Sequence, residues 1–336
     1  MSSSRLVSPL LALFSAASPD AGASPIYLAG DSAAGFWTVD ADSGDRQLAD
    51  IDDYPHIILS GDCAVEGPGS LLFEVTTALQ HRALHRVALP GLATQPISGN
   101  YPGDESGVIG SGPSLDPALL GLLATGAGDL LALHTSGEVM RIDLASGDRT
   151  VVSRSASPAL GVGVDIGAAL DLALLSSAEL AVADQFETLV RVDLMSGDRS
   201  HLVPPGTFAE SPQRIDTLPG GRLVHCLASG GATIWVLDPA SPPSAPLSSA
   251  VYGAGGGPAF VALVDLHVSE QGRLFAFDVG LAAVFEIDPA TGDRRIISGG
   301  PEEIGSGPEL PTALDHPLFA TRPGLWPRAP AGIHLR

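Results

Sequence analysis

The chain reads as an all-β protein, a six-bladed β-propeller of four-stranded antiparallel blades, on three observations. A short unit of apolar strand, turn and apolar strand recurs along its length; the recurrences fall at multiples of about fifty residues; and each unit has room for four short strands. The clearest unit is Asp165–Val203, which reads as strands over Leu170–Leu175, Glu179–Asp184, Thr188–Leu194 and Arg199–Val203. A lone meander of that size leaves two apolar faces in water and is marginal, so it must stack against copies of itself.

The copies are visible at the turn between the third and fourth strands: Val39–Asp50, Ile142–Ser153, Val192–Val203 and Ile287–Ser298. Each runs apolar residues into Asp, then Ser/Thr-Gly, then Asp-Arg and a second apolar run. Gly supplies the positive φ of a tight turn, and the first Asp can cap backbone N–H groups. On this reasoning Asp40, Asp143, Asp193, Asp238 and Asp288 are turn residues. The second Asp stands at 45, 148, 198 and 293, so the gaps of 103, 50 and 95 span two, one and two units. Degenerate copies at Val87–Ser98 and Val236–Ser249, with Pro and Gly in place of Ser-Gly-Asp, bring the units to six. The Arg after each turn opens the outermost strand, where a charge is expected to discourage edge pairing.

In chain order, residues 1–25 are either a signal peptide or the innermost strand of blade one. Arg5, the run Leu6–Ala17 and Ala21-Gly22-Ala23 fit the first reading, the strand rhythm through Leu10–Phe14 the second. The propeller domain occupies 26–320, and 321–336 is a tail. Blade two, about His56–Ser98, has a long corner. Gly99–Pro117 is a connector expected to cross a channel mouth. Blades three to six follow at about Ala118–Ser153, Asp165–Val203, Pro212–Ser249 and Pro258–Ser298. Gly-Ser-Gly-Pro recurs at Gly110–Pro113 and Gly305–Pro308, and the residues after the second copy look like a seventh unit cut short, whose job is closure.

These units resemble six-bladed propellers of the NHL-repeat and SMP-30/strictosidine-synthase-like type. Leu28–Asp40, Leu180–Asp193 and Leu274–Asp288 carry the resemblance, with the pattern of apolar strand, Asp, loop, apolar strand, Asp. It covers nearly the whole chain and implies a fold, not an activity. The Asn usual in NHL loops is missing, Asn100 being the only Asn. Glu66-Gly67-Pro68 is similar to the Glu-Gly-Pro that gives SMP-30-type lactonases a metal-binding Glu. Here, however, Leu71–Val75 follows almost at once and puts Glu66 in a corner.

Composition narrows the partners. A net charge of −21 arises from 38 acidic and 17 basic residues, and every basic residue is Arg. No basic stripe exists, which argues against nucleic acid. No apolar run is long enough for a membrane span. Cys63 and Cys226 fall in blades two and five, on opposite sides of a six-fold ring, too far apart for a disulfide. His81 and His85 read as a surface pair. No Gly-x-Ser-x-Gly elbow is present.

Candidate binding residues come from aligning first strands. Asp62, Asp171, Arg214 and Asp265 take equivalent positions near the start of the innermost strands, with Gly121 at that point in blade three. Asp216 and His267 lie two residues on, on the same side. Innermost strands line the channel of a propeller, so this ring is the expected ligand site. If a metal binds, Asp171, Asp265 and His267 are its expected ligands and a divalent cation such as calcium the cofactor. The function that fits is non-catalytic recognition of a small ligand, carbohydrate or protein at the channel mouth, by a monomer. The alternative is a divalent-metal-dependent hydrolase, lactonase or lyase at the same mouth. Location follows the N-terminus: secreted or periplasmic with a signal peptide, otherwise cytoplasmic.

Overall fold

A computed structural model describes residues 12–15, 25–29, 36–49, 58–67, 70–76, 82–88, 93–100, 108–115, 119–186, 188–208, 211–227, 232–240 and 244–310. These form an all-β propeller of antiparallel blades with six sheets in chain order. The first pairs Ala12–Ser15, Pro25–Ala29, Phe36–Asp40 and Arg46–Ala49. The third pairs Leu119–Ala124, Asp129–His134, Val139–Asp143 and Arg149–Ser153. The fourth pairs Ala169–Ser176, Glu179–Asp184, Thr188–Asp193 and Arg199–Val203. The fifth pairs Pro212–Thr217, Leu223–Leu227, Ile234–Leu237 and Ala245–Ser248. The sixth pairs Leu263–Val268, Leu274–Asp278, Ala283–Ile287 and Arg294–Gly299.

The second sheet departs from the expected four strands. Beyond Ile58–Gly67, Ser70–Thr76, Arg82–Ala88 and Ala93–Asn100 it adds Val108–Ile109, which folds back on Gly99 and Asn100. The described part of the Gly99–Pro117 connector therefore doubles back along the rim instead of crossing the channel. Among the described residues there is no helix, and so none long and apolar enough to cross a membrane.

The first strands of successive sheets touch in turn, and Ala12–Ser15 also touches the first strand of the sixth sheet, closing the circuit. Second strands are apolar on both faces because a neighbouring blade covers each face. Leu274–Asp278 is buried throughout, and the fully buried Phe275, Phe277 and Phe285 each contribute roughly 1.5–3 kcal/mol of burial. Apolar clusters bridge neighbouring blades: Leu72 and Leu84 meet Leu130 and Met140, and Ile26, Trp37 and Val39 meet Phe275 and Phe277 across the closing interface.

The turn aspartates behave as the sequence predicts. Asp143 Oδ1 accepts from the N–H groups of Ala145 and Ser146, and Asp40, Asp193 and Asp288 repeat the arrangement. These backbone bonds hold all four carboxyls below the usual 3.8. Asp238 accepts from Ala240.

The arginines that follow the turns do something else. Arg46, Arg149, Arg199 and Arg294 are buried, at 6–8 % exposure, and are not edge guards. Each grips the connector arriving from the previous blade. Arg199 Nε donates to Val164 O at 2.8 Å, and its Nη1 donates to Leu160 O and to Ser153 Oγ at 2.9 and 2.8 Å. The Ser153 hydroxyl in turn donates to Gly197 O, the Arg199 N–H donates to Val162 O, and Asp198 Oδ1 accepts from the Val162 N–H. Arg149 repeats this with Ser98, Ile109 and Pro113, Arg294 with Ser248, Ala254 and Pro258, and Arg46 with Ser298, Ile304 and Pro308. Burial pulls Arg149 and Arg294 below the ordinary arginine value, while Asp148 and Asp293 pull the other way. The repeated Gly-Ser-Gly-Pro is thus the gripped segment. Its second copy, Gly305–Pro308, joins the sixth blade to the first.

Gly161 shows why the segment is glycine-rich. It has φ +75°, and a Cβ there would stand 1.9 Å from Gly197 O.

Candidate functional site

The innermost strands of blades four, five and six bring most of the predicted residues to one wall of the channel. Asp171, Arg214 and Asp265 each follow a break in register, opposite Ala183, Cys226 and Phe277, and Gly121 follows the same break opposite Leu133. The equivalence expected from the alignment is therefore the observed backbone equivalence. Asp62 lies in the same irregular stretch, just before Cys63, which pairs with Phe73. Its side chain is outside the described residues. A Cβ on Gly121 would sit 2.6 Å from Leu172 Cδ2, so blade three has no room there for the side chain its neighbours carry unless Leu172 moves.

The carboxylates are bound to backbone. Asp171, 2 % exposed, accepts from the Leu172 N–H on Oδ1 and from Ile215 N–H of the next blade on Oδ2, both at 2.8 Å. Asp216 accepts from Thr217 N–H on Oδ1 at 2.7 Å and from Val268 N–H of the sixth blade on Oδ2 at 2.8 Å. Asp265 Oδ1 accepts from the Leu266 N–H and lies 3.5 Å from Arg214 Nε. Arg214 also donates to the carbonyls of Gln213 and Leu170, and Thr217 Oγ1 donates to Leu174 O. These bonds sew three innermost strands together along the channel.

His267 Nδ1 lies 3.2 Å from Asp216 Oδ2, so Nδ1–H donates to the carboxylate and fixes the ring's orientation. Nε2 is buried and has no partner among the described residues, while the His267 side chain is 17 % exposed and that of Asp216 26 %. Cys226, free and buried, lies behind Arg214; burial, with Asp265 next, pushes its thiol up to about 12, which makes it unreactive.

This donor set does not suit a divalent cation. Asp171 has both oxygens on N–H donors, Asp265 faces Arg214, and His267 is tied to Asp216. No group of three His, Cys, Asp or Glu able to hold a metal occurs among the described residues. Glu66 lies at the far end of its strand, paired through both oxygens with Arg86 and accepting from Ser70 Oγ at 2.7 Å. His85 is not a surface residue: it is fully buried in the third strand of blade two beside Phe73, and burial takes it down to about 4. His81 lies outside the described residues.

Thr217 and the donating N–H groups of Ile215 and Val268 were not foreseen, because the bonds they make depend on which blade stands next. The gripping arginines were visible in sequence only as a repeated letter. A further signal was available: a Ser stands at one station of the outer strand, as Ser98, Ser153, Ser248 and Ser298, wherever the next blade carries Asp-Arg.

No family model matches the chain, and no curated protein matches it. Solved structures do. Virginiamycin B lyase from Staphylococcus aureus aligns at a TM-score of 0.54 and 12 % identity, covering 87 % of this chain and 85 % of that one. A chain of the nidogen/laminin complex aligns at 0.53 and 13 %, covering 79 % and 90 %. A Bacteroides thetaiotaomicron protein of unknown function aligns at 0.53 and 11 %, covering 85 % and 72 %. At these identities the likeness shows that the chain shares the β-propeller fold with them.

Proposed function

We propose that the protein is a recognition scaffold, a six-bladed propeller of the NHL or SMP-30-like kind that binds a ligand at the channel wall of blades four to six. One observation carries this reading: His267 and Asp216 stand side by side and partly exposed, while Asp171 and Asp265 are buried and held by backbone N–H groups and Arg214. A partly exposed imidazole and carboxylate side by side suit a ligand hydroxyl or amide, as on a carbohydrate or a peptide. The fold neighbours include an enzyme and a binding complex, and the fold alone does not choose between them.

The test is a carbohydrate and peptide array probed with the wild type, His267→Ala and Asp216→Asn. The expected result is a set of hits whose binding weakens at least about tenfold in both variants, the worth of roughly 1.4 kcal/mol. Hits that bind all three proteins equally would contradict the assignment. The metal-dependent alternative is tested with calcium or zinc. The expected melting temperature is unchanged, and a rise of several degrees reversed by chelator would favour that alternative.

A further inference from the structure

The gripped turns do not run all the way round the ring. Four interfaces carry them: two to three, three to four, five to six, and six to one. Blades two and five have no Asp-Arg in their turns, so the interfaces entering them, one to two and four to five, face each other across the circle. The loss at blade five is double. Val203, paired with Leu189, stands where Ser153 stands opposite Val139. Among the described residues, the hydrogen bonds across that seam come from Asp171, Arg214 and Thr217 on the innermost strands and from Ser211, whose hydroxyl donates to Gln185 O at 2.5 Å. Toward the rim the incoming connector is anchored by Phe208, which packs edge-on against His225 with ring centroids 4.8 Å apart.

His225 is an unusual anchor. It is fully buried, neither ring nitrogen has a hydrogen-bond partner among the described residues, and it stacks on Trp235, which meets Tyr252 of the next connector. The same station holds Ala132, Val182, Ala276 and Phe73 in other blades. Its neighbours on the same face are apolar: Ile215 on the strand beside it, and Ala173, Leu189 and Leu202 from blade four in the core shared with Phe208. The charged neighbours Arg214 and Asp216 occupy alternate positions and face the other way.

We propose that protonation of His225 opens the seam between blades four and five and so dismantles the channel wall, making ligand binding acid-sensitive. The carboxylate that faces this seam from blade four, Asp171, is taken up by the N–H groups of Leu172 and Ile215, so among the described residues an imidazolium at His225 would have no hydrogen-bond acceptor. Burial alone holds the ring down to about 3, against 6.5 when unfolded. The neutral ring's contribution is therefore complete above 6.5 and is lost as the pH falls toward the folded value. Each pH unit in that window favours the opened, protonated form about tenfold.

The ligand consequence rests on the reading of the channel wall given above; the opening does not. Hydrogen exchange, corrected for intrinsic rates, is followed at pH 7, 6, 5 and 4.5. In the wild type, opening of 212–217 should grow about 75-fold between pH 7 and 4.5, while 149–153 and 199–203 at the gripped interface three to four stay protected. His225→Phe, the residue of blade two at this station, should flatten the profile, and His225→Gln serves if Phe does not fit. Equal loss of protection in every blade, or an unchanged profile in a folded variant, would overturn the seam. If the seam opens while an array hit keeps its affinity, the channel-wall assignment fails and the seam stands.

Discussion

The interface between blades three and four and the one between blades four and five have similar apolar interiors but opposite polar arrangements. Leu131 and Leu133 meet Leu180 and Val182 in the first, and Ala181 and Leu189 meet Ile215 and Leu223 in the second. The first is locked at the rim by Arg199, Ser153 and Asp198. The second is held at the channel by Asp171 and Thr217 and at the rim only by packing, among the described residues. Hydrophobic stacking makes the propeller, then, and a small set of directional bonds distinguishes its interfaces. Among the described residues the rim grips join blades two-three-four and five-six-one, while the channel-side bonds cross from four to five.

The largest test of the contrast removes a grip. Arg199→Ala takes the donor from the buried Ser153 hydroxyl and from the part-buried carbonyls of Leu160 and Val164, and should cost about 2–4 kcal/mol in urea unfolding. Arg191→Ala, which breaks an exposed pair with Glu179 at 3.7 Å, should cost less than about 1 kcal/mol. Equal costs would dissolve the distinction between lock and surface.

Next comes the gripped backbone. Gly161→Ala must fit a Cβ against Gly197 O and should cost about 3 kcal/mol or more. Gly126→Ala has the same φ of +75° with nothing within 4 Å and should cost only the backbone strain, about 1–2 kcal/mol. Thermal or urea unfolding of the pair separates close approach from φ alone.

On the channel side, Asp171→Asn keeps one acceptor and turns an amide toward another N–H. It should cost about 1–2 kcal/mol and speed exchange of the Ile215 amide. No change at Ile215 would remove the channel-side bond from the account.

The smallest effect is a pH signature. Hydrogen bonds from the Ser111 N–H and hydroxyl lower Asp148 below 3.8. A lowered carboxyl stabilises above its unfolded value and loses that contribution as the pH falls through its folded one. The stability gap between wild type and Asp148→Asn should therefore be flat from about pH 5 to 8 and close below about 3.8. A gap that closes near pH 6 would point to a histidine instead.

What was legible in the sequence was local. Asp and Gly at fixed offsets make the same turn wherever they occur, and Asp40, Asp143, Asp193 and Asp288 cap as expected. The alignment of first strands puts Asp171, Arg214 and Asp265 at one level, and alternation puts Asp216 and His267 on the same side two residues on. What stayed hidden was partnership at a distance. Arg199 reaches Val164, 35 residues away, and Arg46 reaches Pro308 at 262, so a strand-edge charge was the natural local reading and the wrong one. The burial of His85 was missed for the same reason: His81 and His85 read as a pair by spacing, but the third strand turns His85 inward beside Phe73.

The most direct measurement is a double-mutant cycle at the ring closure, Arg46→Ala with Ser298→Ala, by urea unfolding. The side chains meet at 3.0 Å across 252 residues of sequence. A grip that joins the sixth blade to the first predicts a coupling of about 1.5–3 kcal/mol, the range of a hydrogen bond to a charged group. Additivity within about 0.5 kcal/mol would mean that Arg46 and Ser298 act independently and that their contact does not join the sixth blade to the first.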